Sequence, residues 1–585
     1  MIKIFKYFSK KEWGLVFFTL FFIVVQVWLD LTMPDYMSKI TVLVQTEGST
    51  MSDILSAGGK MILCAFGSLL ASIVTAIAAS RIASDFSADL RRILFEKIQS
   101  FSMGEIGYFS TPSLITRSTN DVTQVQMLIV LGLQMLIKAP IMATWAIFKI
   151  AGKDWHWSLS TGISVVVLLI IVGICILLAS PKFKKLQSLT DDLNRVTREN
   201  LSGIRVVRAY NAEKYQEDKF EVVNDELTKT HLFTMRTMSF LMPSIQMILS
   251  GLSLSIFWIG AVLIDRSNMV GKINLFSDMM VFSQYAIQIV MAFMMLVMIF
   301  VILPRASVAA NRILEVLSQK LSIIDGKETE GLSDKVGEIE FRDVYFRYPD
   351  AEDDVLESIS FTAKKGETIA FIGSTGCGKS TVVNLVPRFY DATSGQVLVE
   401  GMDVREYTQE ALRNKIGYVS QKATLFTGTI RSNVDYGYNG KSKASDENLK
   451  DAVSIAQATE FVEGMEDTYD ARISQGGANL SGGQKQRISI ARAIARRPEI
   501  LIFDDSFSAL DYKTDRMLRE SLNKECKDAT KLIVAQRIGT IRDADKIIVL
   551  DEGKIVGSGK HEDLMKTSTV YQQIALSQLS KEELS

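Results

Sequence analysis

Six runs of apolar residues, at 14–33, 60–83, 125–147, 159–179, 240–264 and 279–303, constrain this chain more than any other feature. A helix needs roughly 20 mostly apolar residues to cross the hydrocarbon of a bilayer, and each run has that length. Backbone polar groups in hydrocarbon must be paired within the protein, and a helix pairs them all inside one segment. A soluble core does not use six such runs in one half of a chain. The start, MIKIFKYFSKKEWG, is basic and leads into the first run as a secretory signal does, but the run continues to Met33 without a small-residue cleavage site and so reads as a first span. After residue 305 the composition turns to short strands, helices and turns. At 585 residues more than one domain is expected. The boundaries expected are a membrane domain at 1–318, a linker at 319–336 and a soluble domain at 337–585.

Lys and Arg collect on the cytoplasmic side of membrane proteins. They gather here in the N-terminal segment (Lys3, Lys6, Lys10, Lys11), between the second and third runs (Arg91, Arg92, Lys97, Arg117), and between the fourth and fifth (Lys182, Lys184, Lys185, Arg195, Arg198, Arg205, Arg208). Those three segments are assigned to the cytoplasm, and an even number of spans returns the soluble half to the same side. The two long inner segments read as helices continuing past the bilayer, at 83–101 and 186–208, with mixed charges on a helical period. Each has a break suited to a short crosswise turn, at 104–113 and 199–213.

Within the runs, Gln26, Asp30, Lys138, Gln284 and Gln288 are costly in hydrocarbon and belong in an interior cavity or at a headgroup boundary. Asp30 and Lys138 suit either snorkelling or a pathway role. The last run holds Met279, Met280, Met291, Met294, Met295 and Met298, whose unbranched thioethers suit either adaptable contact with apolar ligands or plain filling. Cys64, Cys175, Cys377 and Cys526 form no CxxC pair and read as reduced thiols. A net charge of −1 offers no basic field for nucleic acid.

The soluble half carries GSTGCGKS (373–380), after an apolar strand at 368–372 and before a helical run at 381–386. That context makes it a phosphate-binding loop. The residues are Gly373, Ser374, Thr375, Gly376, Cys377, Gly378, Lys379 and Ser380, with Thr381 following. Backbone N–H groups close around phosphates, Lys379 reaches the β- and γ-phosphates, and the Ser380 hydroxyl ligates Mg²⁺. EILIFD (499–504) delivers Asp504 at the end of a buried strand, where it holds Mg²⁺ through water. LSGGQ (480–484) lies between these two elements, with Ser481, Gly482, Gly483 and Gln484 opening a helix. Two glycines at a helix start offer N–H groups and a positive dipole end to an anion. The chain's own loop does not require that second anion site, which suggests a γ-phosphate brought by another nucleotide-binding domain.

With LSGGQ in that position the sequence resembles an ABC transporter. The likeness implies a six-helix α-helical transmembrane domain fused to an α/β P-loop nucleotide-binding domain, in the layout of a half-size exporter of the multidrug-resistance type. It implies ATP and Mg²⁺ as ligands, Tyr348 of FRYP stacking on adenine, and Gln421 of YVSQ contacting Mg²⁺. It also implies that SALD (508–511) crosses a dimer interface, and that the two crosswise turns dock on nucleotide domains.

Two positions depart from the family pattern. Asp505 stands where a catalytic Glu is usual, and Gln536 of KLIVAQRIGTI stands where a switch His is usual. None of His156, His231 and His561 can replace that His. An Asp carboxylate is withdrawn by roughly 1 Å, and misplacement of that size can cost on the order of 10²-fold in rate. Gln475 replaces a usual Glu before the signature. The resemblance therefore implies a heterodimer, in which this chain contributes a degenerate ATP site and a good signature to a partner half-transporter. The expected cargo is small, amphipathic or lipid-like, and the expected location is a bacterial plasma membrane. The alternatives are a slowly hydrolysing homodimer, a lipid flippase or peptide exporter, and an ATP-gated channel or sensor.

Overall fold

The computed structural model describes residues 2–578 apart from 47, 152 and 438–444. It divides into two compact units, Met1–Ile98 with Pro112–Gln319, and Gln99–Thr111 with Lys320–Ser585.

The first unit is helical. It opens with α1 (Lys10–Gln45) and α2 (Met51–Gln99); the short α3 (Met103–Phe109) that follows belongs to the second unit. The chain returns with α4 (Thr111–Thr116), α5 (Val122–Leu131), α6 (Lys138–Ile150) and α7 (Trp155–Ser202). It ends with α8 (Ile204–Ala209), α9 (Glu213–Ser239), α10 (Leu241–Asp265) and α11 (Met269–Ser318). Among the described residues, six segments are long and apolar enough to cross a membrane: Lys10–Gln45, Met51–Gln99, Thr111–Ile150, Trp155–Ser202, Glu213–Asp265 and Gly271–Ser318. Each contains one of the six apolar runs. Phe17, Phe21, Leu63, Phe66 and Leu177 point outward, as lipid-facing side chains do, while Trp157, Phe282 and Tyr285 are buried in a shared core. Thr19 and Thr32 bond back to the carbonyls of Leu15 (2.7 Å) and Trp28 (2.6 Å), which satisfies their hydroxyls inside their own helix.

The third span is not a uniform helix. π-turns at Arg117–Asp121 and Gly132–Leu136 interrupt it. The second has a local cause: Pro140 lacks an N–H and its ring clashes with the carbonyl four residues earlier, that of Leu136. The first is braced by charge. Arg117 donates to the carbonyl of Arg312 and to Glu315, both at 2.7 Å, and Arg312 pairs with Asp121 at 3.2 Å.

Asp30 and Lys138 neither snorkel apart nor stand alone. They pair at 3.4 Å, and Ser68 donates to Asp30. Asp35 pairs with Lys149 at 2.5 Å and accepts from the Tyr285 hydroxyl at 2.7 Å, while Lys153 pairs with Asp278. Lys138, Lys149 and Lys153, in and just after the third span, are thus paired with acids of α1 and α11. Gln26 is buried, Gln284 is exposed, and the Oε1 of Gln288 is buried without a hydrogen-bond partner among the described residues. Of the six methionines only Met298 is exposed. Met279 lies against Gly260, where a Cβ would come within 2.3 Å of its sulfur, so this methionine fills the core. All four cysteines are free thiols.

Among the described residues, the second unit is built on twelve strands: β1 (Ile339–Phe346), β2 (Leu356–Ala363), β3 (Thr368–Gly373), β4 (Ser394–Val399), β5 (Met402–Asp403), β6 (Ile416–Val419), β7 (Gly428–Thr429), β8 (Arg472–Ile473), β9 (Ile500–Asp504), β10 (Thr530–Val534), β11 (Lys546–Asp551) and β12 (Lys554–Gly559). A six-stranded sheet runs β12-β11-β3-β10-β9-β6, parallel except for β12. A four-stranded antiparallel sheet runs β2-β1-β4-β5. Side chains alternate across a sheet, and the central strands obey this. Ala370, Ile372, Leu501, Phe503 and Ile533 join one core with the helices, while Ile369, Phe371, Ile500, Ile502 and Leu532 join another with the antiparallel sheet.

Two segments group with the second unit through their hydrogen bonds. The crosswise turn at α3 groups with the second unit, because Glu105 accepts from the Ser322 amide at 2.8 Å and Ser102 bonds Ser322 at 3.0 Å. In residues 320–336, Gly326 donates to Tyr407 O at 3.0 Å and Leu332 to Glu400 O at 2.9 Å, so this segment pairs its backbone along the second unit. The second crosswise turn is α8, which remains with the helical unit.

Candidate functional site

Four adjacent parallel strands, β3, β10, β9 and β6, end at one edge of the six-stranded sheet. Val534 is in register with both Phe371 and Asp504, and Val419 with Phe503. The segments following these strands therefore meet outside their carboxyl ends, the usual place for a ligand crevice in such sheets. They carry 373–380, Gln536, Asp504 with Asp505, and Gln421.

Glycine is required in the loop after β3 for steric reasons. A Cβ at Gly373 would meet the carbonyl oxygen of Leu550 at 2.0 Å, and one at Gly378 (φ +96°) would meet Leu356 at 2.6 Å. Ser374, Thr375 and Gly376 form an exposed crest, and Cys377 is buried beneath it. The Lys379 ammonium folds back over the loop and donates to the carbonyls of Gly373 (3.0 Å) and Ser374 (2.7 Å). Ser380 donates to Asp504 at 2.6 Å. Thr381 bonds the hydroxyl of Tyr348 at 3.1 Å, and the half-buried Tyr348 ring packs edge-on against Phe346 and Tyr390.

The two acids have separate surroundings. Asp504 takes hydroxyl donors, from Ser380 and, at 3.4 Å, from Tyr418, whose hydroxyl also donates to Asn384 at 2.9 Å. Burial pushes the Asp504 carboxyl up, against these donors and with the help of the neighbouring Asp505 charge. Burial and the Asp504 carboxylate likewise push the Tyr418 phenol up, so it remains a donor. Asp505 holds a left-handed backbone (φ +46°) and is tied down by its amide donating to Val534 O at 3.0 Å and its carbonyl accepting from Ser508 at 2.8 Å. Its Oδ2 accepts two amide donors, Gln536 Nε2 at 2.7 Å and Gln421 Nε2 at 3.1 Å. Burial raises its pKa as well, and the two amides and Lys379 oppose this.

Magnesium prefers hard oxygen donors at few protein positions, with waters and phosphate oxygens completing its shell. The Ser380 hydroxyl and the Asp504 carboxylate, already in contact, fit such an ion. Among the described residues no cluster of three or more His, Cys, Asp or Glu offers an all-protein metal site. The Gln421 side chain is turned to Asp505 rather than to this pair.

The signature residues bond among themselves. The Ser481 hydroxyl accepts from Gln484 N at 3.3 Å, and Gln484 Oε1 accepts from Ser481 N at 2.8 Å, a capping box that starts the helix Gly482–Ala495. A Cβ at Gly482 would meet nothing, so the N-terminal face of that helix is open. Gln475 is exposed beside it. From SALD, Leu510 is buried, and Asp511 caps the next helix by accepting from Thr514 at 3.0 Å. Two participants escaped the sequence reading. Tyr418 lies in the YVSQ segment, where an aromatic gives no sign of its acid partner. Gln578, whose amide contacts the backbone around Gln536, carries no local signal at all.

Residues 16–293 match the family model described as the ABC transporter transmembrane region, and residues 356–508 match the one described as ABC transporter. An uncharacterized ABC transporter ATP-binding protein of Mycobacterium bovis is 40% identical over 531 residues, spanning 90% of this chain and 88% of that one. The uncharacterized ABC transporter ATP-binding protein YfiB of Bacillus subtilis is 36% identical, across 88% of each chain. An ATP-dependent lipid A-core flippase of Aromatoleum aromaticum is 31% identical, across 86% of this chain and 82% of that one. Among solved structures, a bacterial Atm1-family ABC exporter with ATP bound shares the fold, with a TM-score of 0.78 at 23% identity over 96% of this chain and 98% of that one. By its two matched regions, its relatives and its fold, the chain belongs to the ABC transporter family, with a six-helix transmembrane region fused ahead of an α/β nucleotide-binding domain.

Proposed function

We propose that this chain is one subunit of a heterodimeric, ATP-driven exporter in a bacterial plasma membrane. In this reading its own nucleotide site binds ATP and hydrolyses it slowly. Its membrane part ends near residue 318 and its nucleotide-binding domain starts near 337. The observation that carries the reading is the double amide cap on Asp505. An acid one methylene shorter than the family's Glu has one carboxylate oxygen held by both Gln421 and Gln536. A general base must come within about 2.6–3.2 Å of the proton it takes, or act through one water. Asp505 is both withdrawn and tethered. Gln536 donates a hydrogen bond as a His does, but it cannot accept a proton to become a cation.

The remaining residues would take binding roles. Tyr348 would stack on adenine, the loop from Gly373 to Thr381 and the Lys379 ammonium would hold the phosphates, and Ser380, Asp504 and Gln421 would hold Mg²⁺. When bound, Mg²⁺ neutralises charge on the phosphate oxygens. Ser481, Gly482, Gly483 and Gln484 present the open helix start to the γ-phosphate held by the second half-transporter, whose own Glu and His perform the chemistry there. The cargo is a small amphipathic or lipid-like compound, a class supported by the likeness to a lipid A-core flippase.

The test is the ATPase rate of the full chain in lipid, alone and with its partner half-transporter. Alone it turns over weakly, and Asp505→Glu with Gln536→His raises its rate by about 10–100-fold, the cost expected of a ~1 Å misplacement. Brisk turnover by the unmodified chain alone, abolished by Asp505→Ala, overturns the reading in favour of a homodimer that uses Asp505 as its base.

A further inference from the structure

The last described helix, Thr569–Gln578, reaches the nucleotide site through Gln578. Tyr571 and Ala575 are buried in the helix-side core beside Ile538 and Ile541, and the Tyr571 hydroxyl is held by His561 at 2.7 Å. Residues spaced i, i+4 and i+7 share one helix face, so Gln578 lies on the face that Tyr571 and Ala575 bury, at its exposed end. Its amide then makes a bidentate contact with the backbone of the segment after β10. Gln578 Nε2 donates to the carbonyl of Gln536 at 2.7 Å, and Gln578 Oε1 accepts from the amide of Ile538 at 2.9 Å. A carboxamide is the side-chain group that presents one donor and one acceptor side by side, as a peptide does. The Gln536 side chain, starting from that pinned backbone, donates to Asp505 Oδ2 at 2.7 Å.

We propose that Gln578 is a positioning residue for the nucleotide site: this helix fixes the backbone of Gln536 and thereby sets its amide against Asp505 and toward the γ-phosphate. The inference rests on the reading of Asp505 and Gln536 as the ATP-holding pair. It makes the last helix part of the apparatus that decides how long ATP is retained. Anything that lifts this helix from the core loosens Gln536.

The experiment uses the full-length protein in lipid nanodiscs and reads two quantities: hydrogen–deuterium exchange over 536–541, and the release rate of radiolabelled ATP. Gln578→Ala is expected to speed exchange over that segment and to speed ATP release by about tenfold, the effect of losing a pair of ordinary hydrogen bonds. Gln578→Glu keeps the acceptor for Ile538 but opposes a carboxylate to the Gln536 carbonyl. It is expected to retain Ile538 protection and still to speed release. In a Gln536→Ala background, Gln578→Ala is expected to change release by less than about twofold, since the two residues act as one unit. An equal effect in both backgrounds, or faster exchange with unchanged release, overturns the positioning role. The reading of the site fails separately: Gln536→Ala by itself would then leave ATP release unchanged, and the inference falls with it.

Discussion

Asp504 and Asp505 are neighbours in sequence with different partners in space, and this difference separates their roles. Asp504 ends its strand facing Ser380 and Tyr418. Asp505 turns into a left-handed conformation and faces Gln421 and Gln536. Burial raises the pKa of both carboxyls. A carboxyl whose folded pKa lies above its unfolded value binds the proton more tightly when folded. Its contribution to stability is therefore complete below the unfolded value of 3.8 and is lost as pH rises through the raised folded value. Asp505→Asn removes this dependence. The apparent Tm of the variant in lipid should rise relative to that of the parent as pH increases upward from 3.8, the direction set by linkage. A gap that narrows over that range would mean that the Asp505 carboxylate is stabilised in the fold, contrary to its burial.

At the scale of elements, the short helix α3 stands on one side chain. Glu105 accepts from Ser102 N at 2.6 Å, closing a capping box, and its other oxygen accepts from Ser322 N. Burial alone would raise its pKa, but the hydroxyl and amide donors of Ser102 and Ser322 outweigh it and hold the carboxyl below its usual value of 4.5. The sign here is opposite to that of Asp505: the stabilisation is present above 4.5 and is lost as pH falls through the lowered folded value. Glu105→Ala leaves these donors without their carboxylate, at a cost of about 1–3 kcal/mol. The expected result is faster amide exchange across 102–109 and at Ser322, with the rest of the soluble unit unchanged. The capping box was legible in SMGE, but the bond to Ser322, which joins this turn to the start of the soluble unit, was not. The two π-turns divide in the same way. Pro140 accounts for the second from sequence, whereas the first depends on Arg312 and Glu315, nearly two hundred residues away.

For the whole molecule, the two halves of the proposed ATP chemistry belong to different sites, and this asymmetry is measurable. In the co-expressed pair, Asp505→Ala is expected to leave steady-state ATP turnover within about twofold, since the base it removes is the weak one. Ser481→Ala removes a donor from the open helix start and is expected to lower turnover by about 10²–10³-fold, the usual effect of losing one stabilising donor to a developing charge. Equal losses from the two variants would indicate two equivalent sites.

Spans, P-loop and signature were readable because each rests on a local rule. Twenty apolar residues in hydrocarbon must be helical, a loop that closes around phosphate needs glycine, and Ser with Gln three residues later caps a helix. The substitutions at 505 and 536 were also visible in the sequence, as departures from a family pattern. Their consequence was not, because it depends on the direction in which two amides from different strand ends point. Only the parallel sheet brings Gln421, Gln536 and Asp505 together. Only the packing of the last helix places Gln578 against the backbone of Gln536. The pairing of Asp30 with Lys138, 108 positions apart, likewise follows from helix packing. Sequence alone determined which short-range rules operate in this chain. Tertiary structure decided which polar groups meet, because a hydrogen bond selects its partner by distance and angle and is indifferent to separation along the chain.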